Sequence, residues 1–420
     1  MQKENFVWRV LPSFLNCIKK KMCYSPQMKK TDSLFVFLIF LLAGQWIFIK
    51  NNGIHLPQPW LALSPGIAIF AASFMLSWGA ELAQFEIPKA LALAFLALVA
   101  VLPEYAVDMY FAWQAATQPE YIHYATANMT GANRLLIGVG WASVVFMFFI
   151  RHKKGEIILS PANRLEISAL LVATLYCFSI PFKHSLSPID SLFLLCLFAW
   201  YMFRATKAKH EEPEIEGPIK KIAKWPRPKR ITATLFFFIV SGYAIFIAAE
   251  PFAEGLLDAG RHFQIEEFIL VQWLAPLASE SPEFIIALIF AFRGMASSAL
   301  TTLISSKVNQ WTLLVGMLPL VYSLASGQLL AMPMDGRQSE EIFLTAAQSL
   351  FAVVVIMNLR FSITEALILL VLFVTQLFFT EAKSRHIYSF VYIGLAIGWF
   401  LIISGNRKSF KGLAKAFINK

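Results

Sequence analysis

Two apolar stretches of this chain carry proline followed directly by glutamate, and they lie far apart. The first reads Leu102-Pro103-Glu104-Tyr105-Ala106-Val107-Asp108-Met109-Tyr110-Phe111-Ala112-Trp113, the second Ser281-Pro282-Glu283-Phe284-Ile285-Ile286-Ala287-Leu288-Ile289-Phe290-Ala291-Phe292. The Pro-Glu pair, the aromatic after it, the Phe-Ala pair and the final aromatic coincide. Proline and a carboxylate are both awkward guests in a lipid-buried helix. Together they have a use. A proline cannot donate to the carbonyl four residues back, so Pro103 frees the oxygen of Val99 and Pro282 that of Ala278. Each freed oxygen lies beside a carboxylate, and hard cations take oxygen ligands.

Further oxygens follow at helical spacing. Glu104 and Asp108 are four apart and Glu280 and Glu283 three apart, so each pair shares a helix face. Asn128, Thr130 and Asn133 on the next helix add neutral oxygens, with Ser305, Ser306 and Asn309 as their counterparts. Four buried carboxylates cannot all remain charged without counter-cations or protons. That constraint is a basis for exchange, in which one cation leaves as others, or protons, arrive. Lys307 and Arg134 lie close by in sequence. An ammonium at Lys307 would modulate the site's charge in place of a bound ion. A lone proline in a membrane helix usually makes only a kink, and Lys307 could equally pair or snorkel. The duplication sets this pattern apart from those blander readings.

The elements that must position these residues are membrane helices. Of the 420 residues, 58% are hydrophobic and only 15% charged, against roughly a quarter charged in a soluble chain. About 20 apolar residues span a bilayer, and by that measure twelve segments qualify: 33–49, 61–83, 90–116, 124–150, 165–182, 187–203, 231–251, 266–292, 296–325, 341–358, 361–379 and 386–404. The expected class is an all-α polytopic membrane protein. The excess of 36 Lys and Arg over 26 Asp and Glu reads as topology, with no nucleic-acid partner. Seven basic residues lie in 1–32, four in 151–164, nine in 204–230 and five after residue 404, all on one side of a twelve-helix chain. Both termini are therefore expected in the cytoplasm, with the plasma membrane as the site. The start reads as a basic tail with no cleavable signal peptide. The four cysteines show no metal or disulfide spacing, and the histidines fall at loops or helix ends.

The repeat extends past the opening segments. Ala132-Asn133-Arg134-Leu135-Leu136-Ile137-Gly138-Val139-Gly140 aligns without gaps to Val308-Asn309-Gln310-Trp311-Thr312-Leu313-Leu314-Val315-Gly316. Upstream, Ala80-Glu81 pairs with Ala253-Glu254. The expected organisation is a basic tail (1–32), an extra helix and loop (33–60), a first five-helix repeat (61–203), a basic proline-bearing linker (204–230), a second repeat (231–380) and an extra helix with basic tail (381–420). The Pro103-Glu104 helix runs outward and the Pro282-Glu283 helix inward. The repeats are thus inverted, as in many secondary transporters with a midplane site at broken helices. Glu81, Glu254, Glu266 and Glu267 read as helix-end charges facing water.

At these residues the chain resembles the cation/calcium exchanger superfamily, the sodium/calcium exchangers and their proton-coupled relatives. In that family each inverted repeat bears a Gly-Thr-Ser-Leu-Pro-Glu-like helix followed by a Gly-Asn-x-x-Gly-Ser-Asn-like helix. Here the first copy reads Val99-Ala100-Val101-Leu102-Pro103-Glu104, then Ala127-Asn128-Met129-Thr130-Gly131-Ala132-Asn133. The second reads Ala278-Ser279-Glu280-Ser281-Pro282-Glu283, then Leu303 to Asn309. The resemblance covers roughly 61–380 and implies an antiporter with Glu104 and Glu283 as central calcium ligands. Three positions depart from the pattern. The family's Thr-Ser pair is Ala100-Val101, Glu280 stands where a hydroxyl is expected, and Lys307 replaces a small residue.

The expected function is a secondary active antiporter, exchanging calcium or another divalent cation for sodium or protons by alternating access. Its partners are inorganic cations and the lipid bilayer, with no cofactor and no enzyme activity. Two other readings stand beside it: a monovalent cation/proton antiporter of the same fold, and a non-transporting sensor or scaffold on an exchanger-like frame. The topology has a direct check. A thiol label at Ile215→Cys should be reachable only from the cytoplasm and one at Gln118→Cys only from outside; equal access to both would overturn the twelve-helix count.

Overall fold

In a computed structural model of the chain, the described residues are 30–86, 102–207, 219–379 and 381–418. The described residues are mostly helical. Its main elements are α1 (Lys30–Asn51), α2 (Trp60–Ala83), α3 (Leu102–Gln114), α4 (Tyr121–Leu135), α5 (Ala142–His152), α6 (Arg164–Cys177), α7 (Pro188–Ala205), α8 (Arg227–Phe263), α9 (Glu267–Phe292), α10 (Ala296–Asn309), α11 (Val315–Ser326), α12 (Gly336–Ile356), α13 (Ile363–Gln376), α14 (Ala382–Ile402) and α15 (Ser404–Ile418). Among the described residues nine helices are long and apolar enough to cross a membrane, or ten counting α9 as one bent span. The other two expected spans are the 14-residue apolar α13 and the segment that ends in α3, whose beginning lies outside the described residues.

Helix-breaking signals in the sequence shape the site helices. Pro103 sits in the first described turn of α3. In α9 the proline at 282 falls mid-helix, and the axis turns by 57° between Ser281 and Glu283, as a lost backbone bond there requires. Two further irregularities are matched. A π-helical turn, Leu136–Trp141, joins α4 to α5, and another, Gln310–Leu314, joins α10 to α11. Each follows the aligned Asn133 or Asn309 motif almost directly. Such widened turns re-aim side chains and cluster at functional sites.

The halves interlock. The Pro-Glu helix of the first half, α3, packs on α11 of the second, while α9 of the second packs along α4 and α5 of the first. Two short ladders stitch the loops together: β1 (Glu156–Ile158) pairs with β4 (Arg360–Ser362), and β2 (Ser185–Leu186) with β3 (Met332–Pro333), both antiparallel. Each ladder joins a loop of one half to a loop of the other. The helices that follow β2 and β4, α7 and α13, both begin in a serine-led capping box, Ser187 with Asp190 and Ser362 with Glu365. One large apolar core runs through both halves, and a smaller one joins α1, α2 and α8. At the end of α2, Glu86 holds Arg230 at 2.5 Å and Arg227 at 3.0 Å, clamping the start of α8.

The crossing of α4 and α9 is the tightest of these contacts. A Cβ on Gly131 would run into the backbone carbonyl of Gln272, which only glycine permits at this separation. Gly131→Ala should therefore cost roughly 1–3 kcal/mol and lower the thermal midpoint of the purified protein. Gly242→Ala in α8, with nothing within 4 Å, should leave it unchanged or slightly higher. Equal midpoints for the two variants would contradict the close approach.

Candidate functional site

Four acidic side chains meet where α3, α4, α9 and α10 cross. Asp108 is fully buried, Glu104 3% and Glu280 2% exposed, and Glu283 is half-buried. Asp108, Glu280 and Glu283 all lie within electrostatic reach of Glu104. The helix after each Pro-Glu helix supplies neutral donors to it. Asn128 Nδ2 donates to Asp108 Oδ1 at 2.9 Å, and Ser306 Oγ to Glu283 Oε2 at 2.6 Å. Gln310 Nε2 donates to Glu280 Oε1 at 2.8 Å.

The acceptors outnumber these donors. Glu104 Oε1, Asp108 Oδ2, Glu280 Oε2, Asn128 Oδ1 and Gln310 Oε1 are all buried without a hydrogen-bond partner. A buried acceptor left unmade costs about 1–3 kcal/mol, and more for a charged group. A knot of such oxygens calls for protons or cations. Among the described residues no three His, Cys, Asp or Glu side chains close on one point as a metal cage. The oxygens form a mixed carboxylate and amide lining instead.

Lys307 is fully buried at the same crossing. Its Nζ donates to Asn133 Oδ1 at 2.6 Å and to the Asn133 carbonyl at 3.3 Å, and lies 4.4 Å from the Trp311 ring centre. It also lies within electrostatic reach of Glu280 and Glu104. The second half thus sends a lysine amine onto the asparagine of the first.

The structure brings most of the expected residues together, with exceptions. Val99 lies outside the described residues. Ala278 is half-buried on the turn before the bend in α9. Asn133 has its side-chain oxygen on Lys307 and its Nδ2 on the Met129 carbonyl at 2.8 Å. Asn309 is buried beside Gln310. Thr130 turns its hydroxyl back to the Thr126 carbonyl, and Ser305 bonds Tyr201. Glu254, expected to face water, instead accepts from the hydroxyls of Tyr110 at 2.7 Å and Tyr121 at 2.5 Å, because α8 packs on α3. Sequence reasoning missed Gln310. Its signal was present: an amide in an apolar run, at the repeat position of Arg134. Tyr105, whose hydroxyl is buried near Glu104 and Asp108, gave no signal beyond its type.

The sodium/calcium exchanger protein model matches residues 58–207 and 233–380. The chain belongs to that family. It is an integral, multi-pass membrane protein. Among solved structures, that of an H+/Ca2+ exchanger, CAX, is 43% identical, aligns with 93% of this chain and all of that one, and has a TM-score of 0.88. YfkE, a Ca2+/H+ antiporter, is 16% identical over 87% of this chain and all of its own, with a TM-score of 0.60. The sodium-calcium exchanger NCX_Mj is 19% identical over 76% of this chain and 96% of its own, with a TM-score of 0.51. At those identities the last two speak to the fold alone. No curated protein sequence matches the chain significantly.

Proposed function

We propose that this exchanger carries calcium across the membrane against protons or sodium, by alternating access between two halves that run oppositely through the bilayer. The observation that carries the reading is the surplus of buried, unpartnered acceptor oxygens on Glu104, Asp108, Glu280, Asn128 and Gln310. Glu104 and Glu283 hold the divalent ion. Asp108 and Glu280 adjust the charge or take protons, and the carbonyls of Val99 and Ala278 complete the shell with Asn128, Ser306 and Asn309. Calcium prefers six to eight oxygens in flexible geometry, and a mixed lining suits it better than a rigid cage.

Protons fit the coupling role better than sodium. The hydroxyl pair that serves sodium in the family is Ala100-Val101 here. In the second half, Ser279 and Ser281 donate back to the carbonyls of Ala275 and Leu277, away from any ion. The similar CAX structure is that of an H+/Ca2+ exchanger. Sodium coupling is the second reading, supported by the family's name alone.

Glu104→Gln and Glu283→Gln should each abolish calcium transport in proteoliposomes while folded protein remains in the membrane. Losing a charged ligand in a dry site costs roughly 3 kcal/mol, on the order of 100-fold in affinity. Wild-type rates in both variants would mean that the central site is wrongly placed.

Lys307 takes the place of a coupling ion in this account. Its repeat counterpart is Gly131, so the architecture does not require a base there. Lys307→Ala should change the ion dependence of exchange, for instance by creating a sodium or potassium requirement, and shift its pH profile. If both stay as in wild type with normal expression, Lys307 is only a structural plug between the halves.

A further inference from the structure

A polar cavity apart from the carboxylate cluster lies at the end of the bundle where α9 and α12 begin and α13 ends. Its volume is about 50 Å³, room for a small guest and more than one water. Its polarity is opposite to that of the carboxylate site. The guanidinium groups of Arg134, Arg337 and Arg385 line it, with Gln272, Glu341 and Gln376.

The ion pairs there use only some of the donors. Arg134 Nη2 meets Glu341 Oε2 at 2.5 Å, and Gln272 Nε2 donates to the same oxygen at 3.1 Å. Arg385 holds Glu340 at 2.8 Å and lies 4.0 Å from Glu341. Arg337 pairs with Glu266 and lies over the Phe268 ring at 3.9 Å. Three carboxylates thus balance three guanidinium groups. Arg134 Nε, Arg337 Nε and Gln376 Nε2 remain buried with no hydrogen-bond partner, as does Gln376 Oε1. Gln376 is 6% exposed, so bulk water does not satisfy it. Three unmade donors against one unmade acceptor call for a guest that accepts more bonds than it gives. A phosphate group has that character, and arginine matches its geometry.

We propose that this cavity is a binding site for a phosphate group, distinct from the cation site and independent of which cation that site carries. Directional donors select the guest, since the local charges already balance. The phosphate has two possible sources. A lipid headgroup could enter past Leu377 and Phe379, apolar side chains at the cavity that are 37% and 54% exposed. Free inorganic phosphate could enter from solution on the side opposite the basic loops. Arg134 follows Asn133, the residue that holds Lys307, so a guest here would sit next to the charge balance of the transport site.

The test is thermal unfolding of the purified full chain in neutral detergent, at fixed ionic strength, with inorganic phosphate or with short-chain phosphatidylglycerol. Either ligand at a hundredfold excess over its Kd should raise the midpoint by roughly 3 °C. The rise should fall by about half or more in Arg337→Gln and in Gln376→Leu, through at least a tenfold loss of affinity. A response to both ligands or to phosphate alone assigns a site open to the free anion, and a response to the lipid alone assigns a headgroup site. If Gln376→Leu does not fold, Arg337→Gln, at the cavity edge, decides alone. No rise with either ligand, or an equal rise in the variants, overturns the proposal and leaves a cavity that holds ordered water only.

Discussion

The structure depends on one constraint: carboxylate oxygens in a dry interior with too few donors. Glu104, Asp108 and Glu280 each keep an oxygen without a hydrogen bond, in surroundings where an unmade bond is expensive. A protein that needed only stability would have apolar residues there, since buried charge is commonly neutral or worse for stability. The oxygens make sense if a cation or protons occupy the site for part of a cycle. Each occupant lowers the cost while present, and its departure restores the demand for another. In the proposed function, that alternation links the exit of one occupant to the entry of another.

Two copies of one plan hold the oxygens in place. The 57° bend of α9 puts Glu283 at an interruption of the helical ladder, and Glu104 lies in the first described turn of α3. Gly131 lets α4 approach α9 closely enough for both halves to share one site. Lys307, on α10, reaches Asn133 on α4. The loop ladders, each with one strand from each half, tie the two copies together through their loops. The paired π-helical turns beyond Asn133 and Asn309 add irregular backbone next to the site in both halves.

Much of this was legible in the sequence because it follows from local chemistry. The Pro-Glu pairs, the apolar runs and the aligned asparagine motifs fix which residues can meet, and most of the described helices end within a few residues of the apolar segments, although α8 runs on to Phe263, twelve residues past the expected 231–251. Other features depend on distant contacts. The π-helical turns have no distinctive composition, since Leu136–Trp141 and Gln310–Leu314 read as ordinary helix. Gln310 looked like one more polar residue until α10 and α9 brought it to Glu280. Glu254 read as a solvated helix-end charge, and only the packing of α8 on α3 revealed its two tyrosine partners. Asn133 read as a ligand, and its side-chain oxygen proved to be occupied by a lysine 174 positions away.

The measurement that bears most directly on the account is calcium flux into proteoliposomes holding the purified wild-type protein, with proton, sodium and potassium gradients imposed one at a time. The account predicts calcium uptake against its own gradient when a proton gradient is imposed, proton movement in the opposite direction, and none of either in protein-free liposomes. Absence of calcium movement under every gradient, from folded protein, would contradict it.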